Sequence, residues 1–444
     1  MSPPPPGRRL AAALTILATV VAASAVFLAV VLRSPGGLRG ILVRLVFVSL
    51  LLFLIVLFLR YFSLLWFSYL HHAESTARPR AKTALPPVSI IVPAYNEAAV
   101  IERALESLLA LDYPQYEVVV VDDGSSDATL DVAVRWEGRH RAAELRVLTK
   151  SQGGKASALN LGIARAAHPF VLCMDADSWL EPDTLRQAMP HFEDPTVGAV
   201  AGNVKVANRT SWLTRLQALE YIEGLNMPRR AQGFLAAVNI VPGPLGVFRR
   251  EALADVGGYD TDTFAEDADL TLKLVSAGWK VVYEPGAVAW TSAPDRLVDL
   301  VQQRYRWTRG ILQALKKRPG IFLRPFPDFP LWLSAVEMAF EAVVWPALNV
   351  YSHLFFAGVA LLFGMGEFLL HWWFLLTLLD LVMALVTVSM EEEQLSLVPY
   401  SIAYRFFFIL FLDVAKTFAA VEELLDLRMD WGKLGRAPLP GAAS

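Results

Sequence analysis

Four acidic or mixed clusters in this 444-residue chain have the residue types of group-transfer chemistry. Asp122-Asp123-Gly124-Ser125 and Asp175-Ala176-Asp177 each come directly after an apolar run. Ala265-Glu266-Asp267 opens a stretch of helical periodicity, and Gln303-Arg304-Tyr305-Arg306-Trp307 follows it. An Asp-x-Asp pair offers hard oxygen ligands to Mg2+, which binds through one or two carboxylates plus substrate phosphates. Arg306 can grip a pyrophosphate with two parallel hydrogen bonds. Trp307 presents a flat face for a sugar ring, and Tyr95 in Pro93-Ala94-Tyr95-Asn96-Glu97 one for a nucleobase. In Gly153-Gly154-Lys155 the glycines let backbone approach a ligand and Lys155 can donate to a nucleotide. This is no P-loop, because Thr149 stands where that spacing needs glycine. Each cluster also has a plainer reading. Acids favour a helix start, Asn96 suits an N-cap, Asp-Gly-Ser suits a turn, and Arg with Trp can anchor a helix at a membrane.

These side chains need a scaffold that brings them together. Val88–Val92, Glu117–Val121, Leu145–Leu148 and Phe170–Met174 are short apolar runs, separated by helix-like stretches at 97–111, 127–141 and 155–166. That alternation predicts βαβ units around a mostly parallel, buried sheet. Ligands of such sheets bind beyond the carboxyl ends of the strands, which is where Tyr95-Asn96-Glu97, Asp122-Asp123 and Asp175-Ala176-Asp177 fall. Cys173 lies inside an apolar run and reads as a small core residue; as the one cysteine it excludes an intrachain disulfide. The scattered histidines show no zinc-ligand spacing.

Composition places the sheet in a membrane protein. The chain is 55% hydrophobic and 19% charged, against about 25% charged for soluble domains. A net charge of −3 argues against nucleic acid as a partner. Apolar runs at 10–32 and 41–70 are long enough to span a bilayer, and the first exceeds the apolar core of a cleaved signal. Arg8 and Arg9 place a short tail, 1–9, in the cytoplasm, and two crossings return the chain there. A polar linker, 71–85, leads to a soluble segment, 86–325. Apolar segments resume across 326–422 as three or four helices, before a tail at 423–444. Four would leave the basic tail inside and three outside. Segments 212–234 and 294–318 are amphipathic. Both suit interfacial helices, and 212–234 equally suits an ordinary packed helix.

The four motifs, in this order and flanked by membrane helices, resemble the processive inverting glycosyltransferases of family 2, which include the cellulose, chitin, hyaluronan and poly-N-acetylglucosamine synthases. The resemblance covers roughly residues 86 to 320 and implies a Rossmann-like GT-A α/β catalytic domain embedded between transmembrane helices. It implies a cytoplasmic catalytic domain in a multi-pass protein of the cell membrane. The chain would polymerise a β-linked polysaccharide from UDP-N-acetylglucosamine or UDP-glucose and export it through its own channel. On that resemblance Asp267 is the catalytic base beside Glu266. Tyr95, Glu97, Asp123 (or Asp122), Lys155, Asp175 and Arg306 bind the UDP-sugar donor, and Trp307 with Gln303 holds the growing polysaccharide acceptor. Asp177, with Asp175, holds Mg2+ or Mn2+. Membrane lipids and an accessory export subunit complete the implied partners. Two departures stand out: Ala265 replaces the threonine that usually precedes the two acids, and Pro244-Leu245 replaces small residues of the acceptor-side turn. Two rival readings remain: a non-processive enzyme that adds sugars to a membrane lipid, and a transporter or scaffold with a degenerate domain.

Overall fold

A computed structural model describes residues 38–77, 85–140, 143–323, 328–363 and 366–427. The expected first span, 10–32, and the tails 1–9 and 428–444 lie outside them. The chain divides into two compact units. One comprises Leu64–Ala347 and Leu376–Ser444; the other comprises Met1–Ser63, of which residues 38–63 are described, and Leu348–Leu375.

A nine-stranded sheet forms the centre of the larger unit. Its strands are β1 (Val88–Ala94), β2 (Tyr116–Asp122), β3 (Gly138–His140), β4 (Ala143–Thr149), β5 (Phe170–Cys173), β6 (Ser178–Leu180), β7 (Val197–Val206), β8 (Gly246–Arg249) and β9 (Lys280–Thr291). Their spatial order is β3-β4-β2-β1-β5-β8-β7-β9-β6. The long ladders β1–β2, β2–β4 and β7–β9 are parallel, and β8 enters antiparallel between β5 and β7.

Alternation along β1 and β2 sends side chains to two cores. Ile90, Val92, Val118 and Val120 pack on one face against α2 (Ile101–Leu109). Ile91, Val119 and Val121 pack on the other against α3 (Lys155–Arg165). Leu270 and Leu274 of a later helix, Glu266–Ser276, join that second core. Two helices therefore lie on the same face, with Lys155 and Glu266 at their first positions.

Some expected boundaries shift. The stretch 97–111 yields a helix only from Ile101, and 127–141 yields a single short helix, Thr129–Val134, followed by β3. The segment 212–234 forms α4 (Trp212–Glu220), a π-helical turn over Tyr221–Asn226, and α5 (Met227–Phe234). Apart from exposed Trp212 and Arg215, α4 is largely buried, as is the π turn, so most of this segment packs against protein rather than floating on an interface. The two acids open α6 (Glu266–Ser276), and Gln303–Trp307 lies within α7 (Leu297–Lys316).

Among the described residues, three helices are long and apolar enough to cross a membrane: Phe47–Thr76, Phe329–Gly358 and Leu370–Met390. A bent pair, Leu395–Ala403 and Phe407–Leu424, makes a fourth span or a re-entrant loop. The first of these helices runs on to Ala77, so the expected linker at 71–85 begins as helix. Residues at both ends of the bent pair are tied to the sheet-bearing part of the same unit. At its start, Glu391 accepts from Asn203 at 2.7 Å and Arg230 at 2.5 Å, and Glu393 takes a bidentate pair from Arg209 at 2.6 and 2.9 Å. At its end, Glu423 accepts from Arg309 of α7 at 2.7 Å, and Glu422 accepts from the Tyr305 hydroxyl.

Candidate active site

The carboxyl ends of β1, β2 and β5 carry the clusters seen in the sequence. Beyond β1, Tyr95 is half-buried and Asn96 takes a positive φ of 55°. Asn96 does not cap α2, which starts five residues later. Its Oδ1 instead accepts from the Ser126 amide at 2.8 Å, tying the β1 loop to the β2 loop. Glu97 is buried, with its amide donating to Thr129 Oγ1 at 2.7 Å.

Beyond β2 the two aspartates differ. Asp123 accepts from Lys150 Nζ at 2.6 Å and from the Gly153 and Gly154 amides at 2.9 and 2.7 Å. It therefore shapes the Gly153-Gly154-Lys155 loop. Asp122 accepts from the Ser125 amide at 3.2 Å through Oδ2, while its Oδ1 is buried with no partner among the described residues. Such an orphaned acceptor is costly and suits a ligand N–H. Both oxygens of Asp123 are already engaged, so Asp122, the alternative left open by the sequence, holds the freer acceptor.

Lys155 joins two motifs that the sequence keeps far apart. Its Nζ lies 2.6 Å from Asp175 Oδ1 and 2.8 Å from Glu266 Oε1. Burial opposes the ammonium charge, but Asp175, Glu266 and Asp267 outweigh it and hold the lysine well above its ordinary value. Gly243 faces this bridge. A Cβ there would sit 2.8 Å from Lys155 Nζ and 3.0 Å from Asp175 Oδ2, so a side chain would collide with the charged pair.

Asp267 is half-buried beside Glu266, and its Oδ1 accepts from the Ala268 amide at 2.8 Å. Burial, then the Glu266 carboxylate, push its carboxyl up to about 6; Lys155 and that amide pull the other way. A carboxylate titrating near neutrality is matched to proton abstraction. Asp177 is half-buried next to Ser178, whose Oγ donates to it at 3.3 Å. Asp175 and Asp177 together present hard oxygen donors at one strand end, a set that fits Mg2+ or Mn2+. Lys155 now neutralises Asp175. A second acidic group, Asp260, Asp262 and Asp269, lies elsewhere and is held by cations: Lys273 at 2.7 Å from Asp260, Lys317 against all three, and Arg318 at 2.5 Å from Asp269.

Helix α7 supplies the remaining motif. Arg304, 1% exposed, forms a bidentate pair with Glu220 at 2.9 and 2.7 Å. Its guanidinium lies 4.1 Å from the centroid of the Trp307 ring, and Gln303 Oε1 accepts from it at 2.5 Å. One face of Trp307 is thus taken, and the ring packs partly buried among Leu216, Tyr221 and Phe408. Arg306 is half-buried on the same helix. Losing one partner of a buried ion pair of the Arg304–Glu220 kind typically costs about 3–5 kcal/mol, so this pair fixes α7 against α4. Gly310 sets the clearance of α7 from the chain just before Glu266. A Cβ at 310 would lie 2.4 Å from Ala265 N and 2.5 Å from Ala265 Cβ. The alanine that replaces the usual threonine is thus the partner of a glycine on α7.

Lys150, Arg229 and Gly310 escaped the sequence reading. Lys150 carries a weak signal, a cation just before the glycines; the other two are visible only through tertiary approach.

Comparison with known proteins points to one family. A sequence profile described as "Glycosyltransferase like family 2" covers residues 86–310, just over half of the chain. The poly-beta-1,6-N-acetyl-D-glucosamine synthase of Staphylococcus epidermidis is 34% identical over 226 residues, 50% of this chain and 54% of that protein. The synthase of the same description from Staphylococcus aureus (strain COL) is 33% identical over 272 residues, 61% of this chain and 64% of that one. The chain thus spans between about half and two thirds of the length of these curated relatives. Among solved structures, a mannosyltransferase from Pyrobaculum calidifontis in complex with GDP-Man and Mn2+ superposes with a TM-score of 0.59 at 26% identity, over 85% of this chain and 99% of that one. The expected GT-A-like α/β sheet flanked by long apolar helices is borne out.

Proposed function

The chain belongs to glycosyltransferase family 2, and on that premise we propose that it is a membrane-bound, inverting synthase of a β-linked polysaccharide. The donor is UDP-N-acetylglucosamine, with UDP-glucose as the alternative. The observation that carries this reading is the Lys155 bridge: one ammonium links Asp175, at the end of β5, to Glu266, the neighbour of Asp267. Nucleotide-side and acceptor-side groups then meet in one cleft, and the two curated relatives compared above are poly-N-acetylglucosamine synthases by name.

In the proposed reaction the acceptor hydroxyl oxygen attacks the anomeric carbon as the bond to the diphosphate oxygen breaks. Its proton passes to a carboxylate oxygen of Asp267, and the electron pair of the broken bond leaves on the diphosphate. Asp122 and Asp123 with Tyr95 and Glu97 receive the base and ribose. Lys155 and Arg306 meet the phosphates. Asp175 and Asp177 would hold Mg2+ or Mn2+. A bound divalent cation supplies neutralisation of charge on the departing diphosphate. Trp307 and Gln303 receive the acceptor.

The catalytic unit lies on the cytoplasmic side, where the positive-inside rule puts it. Both ends of the bent pair 395–424 are tied to that unit, so this segment re-enters rather than crosses. Two C-terminal crossings then leave the tail on the catalytic side, the same side that a four-crossing count gives. A channel for the product and an accessory export subunit belong to this proposal.

A second reading has its own support. The mannosyltransferase covers 85% of this chain, more than either polysaccharide synthase does, and one Trp307 face is closed. These favour a non-processive enzyme acting on a membrane acceptor. Incubating the purified protein with UDP-sugars and GDP-mannose, and sizing the product, separates the two. Polymer from a UDP-sugar supports synthase activity; single-sugar transfer supports the second reading; no nucleotide release from any donor removes both.

A further inference from the structure

Among the described residues of the larger unit, five arginines are buried: Arg229, Arg230, Arg304, Arg309 and Arg405. Four of them are held by carboxylates. Arg230 meets Glu391 at 2.5 Å, Arg304 meets Glu220 at 2.7 Å, Arg309 meets Glu423 at 2.7 Å, and Arg405 pairs with Asp380. Arg229, 8% exposed, forms no direct ion pair with a carboxylate among the described residues; Asp267 acts on it only at longer range. Its one side-chain hydrogen bond there is a long one, 3.4 Å from Nη1 to Asn226 Oδ1. A guanidinium offers five N–H groups, and a buried charge without a directly paired counter-charge is expensive. A protein that pairs its other buried arginines so closely keeps this one for an incoming anion.

Its position says which anion. On one side its electrostatic neighbours are Tyr283, Asp267 and Tyr221, and Tyr221 in turn lies within the field of Asp177. Asp267 is thus the carboxylate whose field reaches Arg229. Burial lowers its guanidinium pKa, and those three groups oppose that shift. On the other side, helix α5 docks on the end of the apolar helix Phe47–Thr76. Ser68 Oγ donates to the Met227 carbonyl at 2.7 Å, and Phe67 stacks on Phe234 with centroids 5.8 Å apart. The residue thus stands between a proton-accepting carboxylate and the end of a membrane helix. A molecule with an anionic head and an apolar tail satisfies both sides.

We propose that Arg229 binds the phosphoryl head of a lipid-borne acceptor or primer, whose tail runs along the apolar helix that ends at Thr76. The proposal rests on reading the cleft as a glycosyl-transfer site, and it applies whether one sugar or a polymer is added. A guanidinium takes two phosphate oxygens in one fork. Phosphate of the sugar-nucleotide donor is the competing occupant.

The test uses the full chain in neutral-detergent micelles with dodecyl phosphate as probe and dodecanol as uncharged control. Binding is read by phosphorus NMR line broadening and by thermal stabilisation; UDP affinity is measured in parallel. Wild type should bind dodecyl phosphate and not dodecanol. Arg229→Gln should weaken that binding at least tenfold while UDP affinity stays within about twofold, and Arg229→Lys should restore part of it. Because no buried carboxylate is left unpaired, Arg229→Gln should unfold no lower than wild type. Absence of dodecyl phosphate binding by wild type would overturn the proposal without any variant. So would equal losses of UDP and dodecyl phosphate affinity, which assign Arg229 to the donor. A lower unfolding temperature with probe binding intact would assign it to the fold. Arg229-dependent probe binding without turnover of any sugar nucleotide keeps the lipid site and removes the transferase reading, so the two fail separately.

Discussion

Replacing Asp267 with asparagine keeps the size of the side chain and the hydrogen bond from the Ala268 amide, but removes the proton-accepting charge. Loss of a general base typically costs about 10²- to 10⁴-fold in rate. The structure adds a pH signature. With a carboxyl at about 6, roughly 90% of Asp267 is ionised at pH 7 and roughly 10% at pH 5. The sign follows from the role: the base works deprotonated, so kcat/KM should fall about tenfold between those pH values and continue to fall below them. The Asn variant should lose that acidic limb along with its turnover. Donor binding should persist, because Asp122, Asp123, Tyr95 and Asp177 lie on other elements. The assay measures UDP release against pH for both proteins, with UDP affinity by calorimetry. Near-normal turnover by Asp267→Asn, or an acidic limb unchanged in the variant, would refute the assignment and move the base to Glu266 or elsewhere.

Other outcomes follow from the same geometry. Gly310→Ala places a methyl group 2.4 Å from Ala265 N; it should cost about 1–3 kcal/mol by overpacking and reduce UDP release at least tenfold, checked by thermal unfolding and turnover, and wild-type behaviour would disprove the helix–base contact. Chelation should abolish transfer and Mg2+ or Mn2+ restore it; an Asp177→Ala variant that stays fully active in chelator would exclude a metal at Asp175 and Asp177. Trp307→Ala should shorten the product while UDP affinity holds, measured by gel sizing and calorimetry, and product of wild-type length would remove the ring from acceptor binding.

The sheet and the placement of its acids were legible because buried parallel strands read as short apolar runs, with the next residues necessarily at the ligand edge. Asp175 and Asp177 could be placed for that reason; Asp267 opens helix α6 rather than ending a strand, and its naming rests on the family resemblance. The division of labour between Asp122 and Asp123 could not, because it depends on Lys150 and two glycine amides folding back from 27 to 31 positions away. Asn96 read as a cap because its type suits one; the positive φ it adopts instead reflects its bond to Ser126. The segment 212–234 read as one amphipathic helix, whereas a π turn rotates its faces and buries nearly all of it. The Arg304–Trp307 stack was hidden within a motif whose spacing places these residues on one helical face without telling which ring face stays open. Gly310 carried no local signal at all, since its role is a clearance from Ala265.

Nucleotide release by the purified chain in micelles is the most direct test of the central claim, with UDP-N-acetylglucosamine, UDP-glucose and GDP-mannose offered separately and the Asp267→Asn variant run beside wild type. The expected result is UDP release with Mg2+ or Mn2+ present, greatest with UDP-N-acetylglucosamine, accompanied by a β-linked product and lost in the variant. Release from no donor, or release that the variant retains in full, would contradict it.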